Sequence, residues 1–342
     1  MDTKTFSGDF FELGRQQGEL YKLNGMDLSR IKIEQELFRK QLEVYERHYP
    51  ELLKEFAGMA EAGNFDKDKL IYHFIAEPIL IHIKDFKLKK SCTIFGVQNK
   101  DGVFVGRNYD WLPITEQVFQ HYKVVNPKRN SFIGFSDMGI GSPKDANIEH
   151  QYHDADDALN DKGLFIGLTF AFADEWSYGL VSTHIIKLIA ETCATVNDAL
   201  KVFEKVPLCL PKNFFIADKN GEMVAVEHTS KKYRVVRPEN GILIQTNHFI
   251  DPELAKEDTV LKHAPKHNTF LRYNEALQKL SGLKDQFKFE DIMEILGTQG
   301  TYVCQNHPYI KTIWSLALSM KDSEYKLYWD ILGKRKSREL KI

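Results

Sequence analysis

Three side chains suited to covalent catalysis fall at the two ends of one predicted hairpin. Cys92 opens the strand-like run 93–98, an Asn-Lys-Asp-Gly turn follows at 99–102, and the second run ends with Arg107 and Asp110. Antiparallel pairing folds the end of the second strand back beside the start of the first, so the three side chains share one end of a sheet. A thiol, a cation and a carboxylate together can make an activated nucleophile.

A cysteine is more often a small core residue than a nucleophile, so the residues around Cys92 must decide between the two interpretations. We expect Arg107 to lower the pKa of the thiol and to hold Asp110 ionised. The structural alternative for this pair is a surface ion pair, worth less than about 1 kcal/mol. We favour the site, because two charges beside Trp111 on an apolar hairpin need a reason for burial.

The composition is that of an ordinary globular chain. Its 342 residues are 43% hydrophobic and 27% charged, with a net charge of −2, enough for one large domain or two small ones. That balance gives no indication of nucleic-acid binding. The four cysteines show no CxxC spacing, so neither a metal nor another cofactor is predicted. No apolar run of about 18 residues and no secretory segment at the start are present, which predicts no membrane span and a cytoplasmic location.

The pattern of elements changes at Cys92. The preceding residues are predicted to be helical, and short strand-like runs follow, separated by helical blocks near 183–206 (broken at Thr195), 268–280 and 290–296. Hairpins of strands between helical blocks predict an α+β fold of two packed antiparallel sheets covered by helices. The predicted strands lie at 93–98, 103–108, 131–136, 164–170, 213–218, 222–227, 232–236, 242–246, 311–319 and 325–331.

Several motifs in one order resemble the N-terminal-nucleophile (Ntn) cysteine amide hydrolases. The string Ser-Cys-Thr-x-Phe at 91–95 with Gly-Arg-Asn-x-Asp-Trp at 106–111 is most similar to the branch of penicillin acyltransferase, choloylglycine hydrolase, penicillin V acylase and acid ceramidase. Gly14-Arg-Gln-Gln-Gly18 is similar to the start of the long pro-segment of the acyltransferases. The later matching segments are 160–164, 213–221, 224–227, 245–249 and Arg272.

The resemblance implies a four-layer αββα sandwich and a division of the chain at Cys92. Residues 1–91 would form a helical pro-segment, autocleaved or kept as a lid, and residues 92–342 the catalytic domain. The thiol of Cys92 would attack the carbonyl of Ser91, and hydrolysis of the thioester would release residues 1–91. The freed α-amine, with an unperturbed pKa of about 8, would then be the base for attack on an amide substrate. Asp110 would orient that amine or the thiol.

The resemblance also implies roles for two residues further along the chain. Asn247 would donate its side-chain amide to the tetrahedral oxyanion, and its structural alternative is an ordinary turn asparagine. Arg272 would support Asp110 or the substrate, and its structural alternative is an exposed helix cation.

Four residues are predicted to bind substrate. In bile-salt-hydrolase-like members an Asn on the strand after the Asn-x-Lys-Gly-Leu turn assists the oxyanion, whereas this chain has Thr169, which speaks against a bile-salt substrate. Trp111, Phe170 and Trp176 are candidates to line an acyl pocket, although most aromatic residues belong to the core. The acidic run 154–161 lacks the spacing of a calcium loop and is predicted to be solvated.

The predicted function is that of an autoprocessing cysteine amidase or acyltransferase that cleaves the linear C–N amide bond of a small N-acyl substrate through a Cys92 thioester. The same thioester serves hydrolysis and acyl transfer, so the two stay open. The alternative is a catalytically silent or unprocessed relative that binds a ligand or partner in the same pocket. No nucleic-acid or membrane partner is expected, and the sequence leaves the oligomeric state open, a homo-oligomer included.

Overall fold

A computed structural model describes residues 3–84, 91–117, 119–137 and 154–342, with the backbone alone for 81–84. The α-helices are α1 (Phe10–Leu23), α2 (Gln35–His48), α3 (Pro50–Gly63), α4 (Lys67–Ile75), α5 (Glu77–Lys84), α6 (Ser182–Thr192), α7 (Val196–Lys205), α8 (Val260–His263), α9 (Thr269–Leu283) and α10 (Asp291–Leu296). The strands are β1 (Lys4–Ser7), β2 (Ser91–Asn99), β3 (Gly102–Trp111), β4 (Gln120–Val125), β5 (Phe132–Ser136), β6 (Asp157–Asn160), β7 (Leu164–Phe170), β8 (Lys212–Asp218), β9 (Met223–His228), β10 (Tyr233–Val236), β11 (Ile242–Gln245), β12 (Asn306–His307), β13 (Ile310–Ser319), β14 (Glu324–Trp329) and β15 (Lys336–Glu339).

Two sheets pack face to face at the centre of the molecule. The first has the strand order β1-β4-β5-β6-β7-β8-β9-β10, and the second has the order β11-β2-β3-β13-β14-β15, with β12 paired to β13. Between them lies an apolar core to which β2 contributes Ile94, β3 contributes Val105, and β7 and β8 contribute Phe165 and Phe215. Among the described strands, all the pairs are antiparallel except β1 and β4, which are parallel.

Helices cover the outer face of each sheet. On the first sheet, helices α1 to α4, α6 and α7 share one core with the strands, in which Phe56 of α3 and Ile185 of α6 pack with Ile166 of β7. On the second sheet, Leu280 of α9 and Ile292 of α10 pack against β2 and β3. The predicted α+β sandwich of four layers is therefore confirmed, with the parallel β1–β4 pair as the one departure from two antiparallel sheets.

The predicted break in the helical block at 183–206 is confirmed at its capping residue. Helix α6 ends at Thr192 and α7 begins at Val196, and Thr195 Oγ1 accepts a hydrogen bond of 3.2 Å from the N–H of Asp198. The side chain thus satisfies a helix N–H that has no partner within the helix. This local contact fixes where α7 starts.

The prediction that the acidic run 154–161 is solvated is wrong. Asp154, Asp156 and Asp157 are all buried, and the run contains β6, which pairs with β5 and β7. The sequence prediction also missed β4, where the polar pattern Gln-His-Tyr-Lys hides a strand. In both cases partners distant in sequence, rather than local hydrophobicity, decide the structure.

The N-terminal helices are packed closely into the rest of the protein. A side chain at Gly14 would place its Cβ 1.8 Å from the backbone oxygen of Glu55, and one at Gly18 would be 2.3 Å from that of Met59. The two glycines of the Gly-x-x-x-Gly segment therefore let α1 and α3 touch backbone to backbone. Residues 85–90 of the predicted pro-segment lie outside the described residues. Across the described ranges, every helix is too short or too polar to cross a membrane.

Candidate active site

The strand pairing divides the residues around Cys92 between the two faces of the second sheet. Cys92 lies opposite Tyr109, and Ser91 lies opposite Asp110. Because side chains alternate along a strand, Cys92, Arg107 and Tyr109 face the other sheet, whereas Ser91 and Asp110 face the layer of α9 and α10. Cys92 and Tyr109 accordingly belong to the core between the sheets, and the thiol is fully buried.

Arg107 is paired with Asp157, not with Asp110. Its Nε donates to Asp157 Oδ2 at 2.7 Å, both side chains are fully buried, and Trp314 Nε1 donates to the same oxygen at 3.1 Å. A direct Arg107–Asp110 ion pair is therefore not formed, although the charge of Arg107 still lowers the pKa of Asp110, as predicted. The two residues are three positions apart on one strand, an odd separation that sends their side chains to opposite faces of the sheet. The actual partner comes from β6 in the facing sheet.

Burial outweighs the cation in setting the state of the thiol. Desolvation raises the pKa of Cys92, and the charge and hydrogen bond of Arg107 lower it only in part. For Arg107, burial alone would lower the pKa, but the charges of Asp157 and Cys92 leave it above its usual value. Arg107 thus lowers the pKa of the thiol, as predicted. The thiol of the unbroken chain nevertheless stays protonated near neutral pH.

Asp110 is a buried acid with one unused oxygen. Its Oδ1 accepts a hydrogen bond of 2.7 Å from Thr312 Oγ1. Its Oδ2 is buried and has no hydrogen-bond partner among the described residues. Burial raises the pKa of Asp110 to about 6, opposed by the charge of Arg272 and the hydrogen bond from Thr312. The unbroken chain therefore leaves an acceptor beside the nucleophile's backbone.

Asn247 and Arg272 hold the backbone of Cys92 from both sides. The N–H of Cys92 donates to Asn247 Oδ1 at 2.8 Å, and Arg272 Nη2 donates to the same oxygen at 2.6 Å. Arg272 Nη1 donates to the Cys92 carbonyl and, at 3.0 Å, to Thr93 Oγ1. Because both neighbours of this oxygen are donors, the NH₂ group of Asn247 points the other way and donates to the Phe170 carbonyl at 3.0 Å.

Arg272 is a buried residue of α9. It is fully buried, so the alternative of an exposed helix cation is wrong. Its Nε donates to Asn268 Oδ1 at 2.9 Å, which fixes the guanidinium toward β2. Burial lowers the pKa of Arg272 to about 10, while Asp110 and Cys92 raise it. The group therefore stays charged near neutral pH despite its desolvation.

The segment that presents Asn247 is anchored by a third buried acid. Glu227 at the end of β9 accepts hydrogen bonds from the N–H of Ile250 at 2.6 Å and from that of Asp251 at 2.9 Å. Gln245 Nε2 donates to the same carboxylate at 3.2 Å. The sequence contains Glu227 in a recognisable hairpin motif, but its role as the anchor of this segment depends on contacts across the fold.

The four predicted substrate residues occupy different environments. Thr169 is buried, and its hydroxyl donates to the Thr246 carbonyl, so it holds the strand before Asn247. The carbonyl of Phe170 binds Asn247, as described above. Trp111 is 2% exposed, whereas Trp176 is 38% exposed and meets Tyr178 edge to face. Phe170 and Thr169 thus touch the Asn247 segment, and Trp176 lies at the surface.

Asp157 is the site residue that the sequence analysis missed. It sits in an acidic run whose composition suggests a loop. The turn at Asn160-Asp161-Lys162-Gly163 carried a usable signal, because a hairpin turn before one strand requires a partner strand on its other side. That partner is β6, and it places Asp157 opposite Gly167.

A protein-family model matches most of this chain. The family model described as acyl-coenzyme A:6-aminopenicillanic acid acyl-transferase matches residues 97–332. The matched stretch contains Arg107, Asp110, Asn247 and Arg272, while Cys92 lies five positions before its start. None of the curated protein sequences matches the chain.

Solved structures of similar fold cover most of the chain. Penicillin V acylase from Agrobacterium tumefaciens has a TM-score of 0.50 at 12% identity, covering 73% of this chain and 86% of that one. The Caenorhabditis elegans ortholog of N-acylethanolamine-hydrolyzing acid amidase has a TM-score of 0.48 at 16% identity, covering 73% and 100%. A mutant of conjugated bile acid hydrolase from Clostridium perfringens has 0.48 at 14%, covering 73% and 92%. At 12% identity the likeness to the acylase shows the fold alone.

Proposed function

Because this chain belongs to the acyl-coenzyme A:6-aminopenicillanic acid acyl-transferase family and has the αββα fold of Ntn hydrolases, we propose that it is an autoprocessing cysteine amidase or acyltransferase. Its substrate would be the linear C–N amide bond of a small N-acyl compound. The observation that carries the proposal is the set of contacts around Cys92. Asn247 and Arg272 hold its N–H and C=O, while Arg107 lies against its thiol.

The first reaction is cleavage of the chain's own backbone. The Cys92 sulfur attacks the carbonyl carbon of Ser91, the C–N bond breaks, and the thiol proton passes to the departing nitrogen. Water then adds to the thioester, which releases residues 1–91 with a new carboxylate and regenerates the thiol. The contacts that fix the N–H and the C=O of Cys92 favour this step, because a backbone held in place removes much of the entropic cost of attack.

The unused oxygen of Asp110 supports this sequence of events. Cleavage converts the Cys92 N–H, a single donor, into an α-ammonium with three donors. One donor already has Asn247 Oδ1 at 2.8 Å. Asp110 lies on the strand opposite Ser91, and its buried Oδ2 has no hydrogen-bond partner in the part of the chain that the structure describes. The unbroken chain therefore contains an acceptor for a donor that exists only after cleavage.

The second reaction is turnover by the mature enzyme. The neutral α-amine takes the thiol proton, and the thiolate attacks the acyl carbonyl of the substrate. Asn247 would donate the second N–H of its NH₂ group to the oxyanion, while the first stays on the Phe170 carbonyl and Arg272 holds the side-chain oxygen. The α-ammonium returns the proton to the leaving amine. Water or a second amine then resolves the thioester, giving hydrolysis or acyl transfer.

Other parts of the sequence-based prediction stay proposals. Thr169, Phe170, Trp111 and Trp176 would line the acyl side of the pocket, with no cofactor taking part. A cytoplasmic location and a homo-oligomeric state also stay proposals.

A second candidate is an unprocessed relative that binds a ligand or partner in the same pocket. It is favoured by the complete burial of Cys92 and by the raised pKa of its thiol in the unbroken chain. In such a protein the thiol of Cys92 would stay protonated near neutral pH and the site would be inert.

One experiment separates the two candidates. The intact mass of the purified protein is measured under denaturing conditions, beside the variants Cys92→Ala and Cys92→Ser. Two fragments, 1–91 and 92–342, in the wild type and a full-length Cys92→Ala chain are expected, with slow cleavage of Cys92→Ser. A full-length wild type would overturn autoprocessing and favour the second candidate. A cleaved Cys92→Ala chain would exclude the thiol as the processing nucleophile.

A further inference from the structure

The hydroxyl of Ser91 marks a polar subsite on the acyl side of the predicted scissile bond. Ser91 is fully buried, and its Oγ lies 3.5 Å from Nε2 of His267. We propose that His267 determines specificity by recognising a hydroxyl on the third carbon of the acyl group, so that the substrates are N-(3-hydroxyacyl) amides. The inference rests on the proposed function, because it uses the thioester on Cys92.

The argument begins with the chemistry of self-cleavage. Attack by the Cys92 sulfur transfers the Ser91 acyl carbon from nitrogen to sulfur. The product is a thioester of Cys92, which is the same chemical species as the acyl-enzyme formed from a substrate amide. Numbered as an acyl group, Ser91 has its carbonyl at carbon one, Cα at carbon two and Cβ, with its hydroxyl, at carbon three. The neighbours of Ser91 are therefore the neighbours of an acyl group at that depth.

His267 is held firmly at this position. Its N–H donates to the Ala264 carbonyl at 2.8 Å, and its ring meets Phe172 edge to face with centroids 5.7 Å apart. The next residue, Asn268, binds Arg272, which in turn binds the Cys92 carbonyl. The imidazole and the nucleophile are thus linked through one short segment. A ring held by packing costs little entropy when it binds a ligand hydroxyl.

The surroundings favour a neutral hydroxyl on an apolar acyl group. Phe172, Val260 and Ala264 form a small buried apolar cluster beside the imidazole. Asp110, on the strand opposite Ser91, faces the same side of the sheet. Its carboxylate would repel a carboxylate carried by the acyl group, whereas a hydroxyl brings no charge. The residues around Ser91 therefore favour an uncharged hydroxyl over a carboxylate at the third carbon of the acyl group.

The first test compares two substrates that differ only in this hydroxyl. Mature enzyme is assayed with the 3-hydroxydecanoyl and the decanoyl amides of aminomethylcoumarin. We expect kcat/KM to favour the hydroxylated amide by about three- to tenfold, the worth of one neutral hydrogen bond. The ratio should fall to near one in His267→Leu and persist in part in His267→Gln, which keeps a donor. A wild-type ratio near one, or an unchanged ratio in His267→Leu, overturns the inference.

The second test uses maturation itself and needs no substrate. The rate of self-cleavage is followed by intact mass in Ser91→Ala, His267→Leu and the double variant. If the hydroxyl and the imidazole act on each other, the double variant is slowed no more than the slower single variant. Multiplicative slowing means that the two residues act independently and overturns the inference. Loss of cleavage of both coumarin amides by the mature wild type would instead count against the proposed amidase function.

Discussion

Within the described residues, two clusters of buried charge differ in what they surround. The active-site cluster consists of four buried charged residues around Cys92, which are Arg107, Asp157, Asp110 and Arg272. The helix cluster consists of Glu55 and Tyr49 from the N-terminal part with Lys187 and Glu191 from α6. Each has a fully buried ion pair, at 2.7 Å for Arg107–Asp157 and 2.5 Å for Lys187–Glu55.

The two clusters also share a buried acid with an altered pKa. Burial raises the pKa of Asp110 to about 6 and that of Glu191 to about 7. In the helix cluster the hydrogen bonds join the N-terminal helices to α6, as in the 2.6 Å bond from Tyr49 to Glu191. In the active-site cluster the donors converge on one thiol and its backbone. Buried charge and a raised pKa therefore do not identify a site unless they converge on a reactive group.

The largest expected effect separates the two ion pairs. Arg107→Met and Lys187→Met each leave a buried carboxylate without its cation, which should lower the free energy of unfolding by about 3–5 kcal/mol. Only Arg107→Met should also slow self-cleavage, by about a hundredfold or more, because it removes the charge beside the thiol. Denaturant unfolding and time-resolved intact mass measure the two quantities.

Double variants serve as controls for this comparison. Arg107→Met with Asp157→Asn and Lys187→Met with Glu55→Gln both remove the stranded carboxylate, so most of the stability should return. Self-cleavage should stay fast in the second pair, as in Lys187→Met alone, and stay slow in the first. Recovery of cleavage in the first pair would mean that Arg107 contributes only to folding.

Replacing either of the two buried acids should raise the free energy of unfolding, by less than the ion-pair variants lower it. Asp110→Asn and Glu191→Gln are tested in a Cys92→Ala chain, which keeps the backbone whole. An acid whose pKa is raised in the folded state binds more protons when folded, so wild-type stability falls as the pH rises through that interval. The interval runs from 3.8 to about 6 for Asp110 and from 4.5 to about 7 for Glu191. At pH 8 the free energy of unfolding of each variant should exceed that of its parent by up to about 3 kcal/mol, and at pH 4 the two should be almost equal.

Activity then distinguishes these two acids. With Cys92 restored, Asp110→Asn should lose about a hundredfold or more in turnover, since the α-amine loses its charged partner. Glu191→Gln should keep cleaving its own backbone, because its carboxylate lies in the helix cluster. Equal losses of activity in both would show that the site depends on the packing of the N-terminal helices as a whole.

The smallest expected effect concerns thiol reactivity. Burial raises the pKa of Cys193 to about 11 and that of Cys209 to about 12, and both thiols lie in the core shared with the N-terminal helices. Iodoacetamide at pH 7 should therefore label all the cysteines slowly in the unbroken chain. After cleavage Cys92 should react about a hundredfold faster than Cys193 and Cys209, which stay covered. Peptide mapping by mass spectrometry gives the rates, and fast labelling of Cys209 would show that the helices leave.

The sequence by itself determined the local features of this protein. The hairpin that brings Cys92 near Asp110, the cap at Thr195 and the change from helices to strands after residue 91 all depend on neighbours a few positions apart. The order of these elements predicted two packed antiparallel sheets covered by helices, and the resemblance to Ntn hydrolases implied the four αββα layers. Such features can be predicted from sequence because the backbone has few allowed conformations over a few residues.

The tertiary structure alone decided the partners within the site. Arg107 faces Asp157 because β3 and β6 lie in different sheets that pack together, and an acidic run gives no local sign of that contact. The same holds for Arg272, buried on α9 with its guanidinium on the Cys92 carbonyl. A charged side chain looks the same in sequence whether solvent or a facing sheet surrounds it. Only packing determines which partner replaces the water.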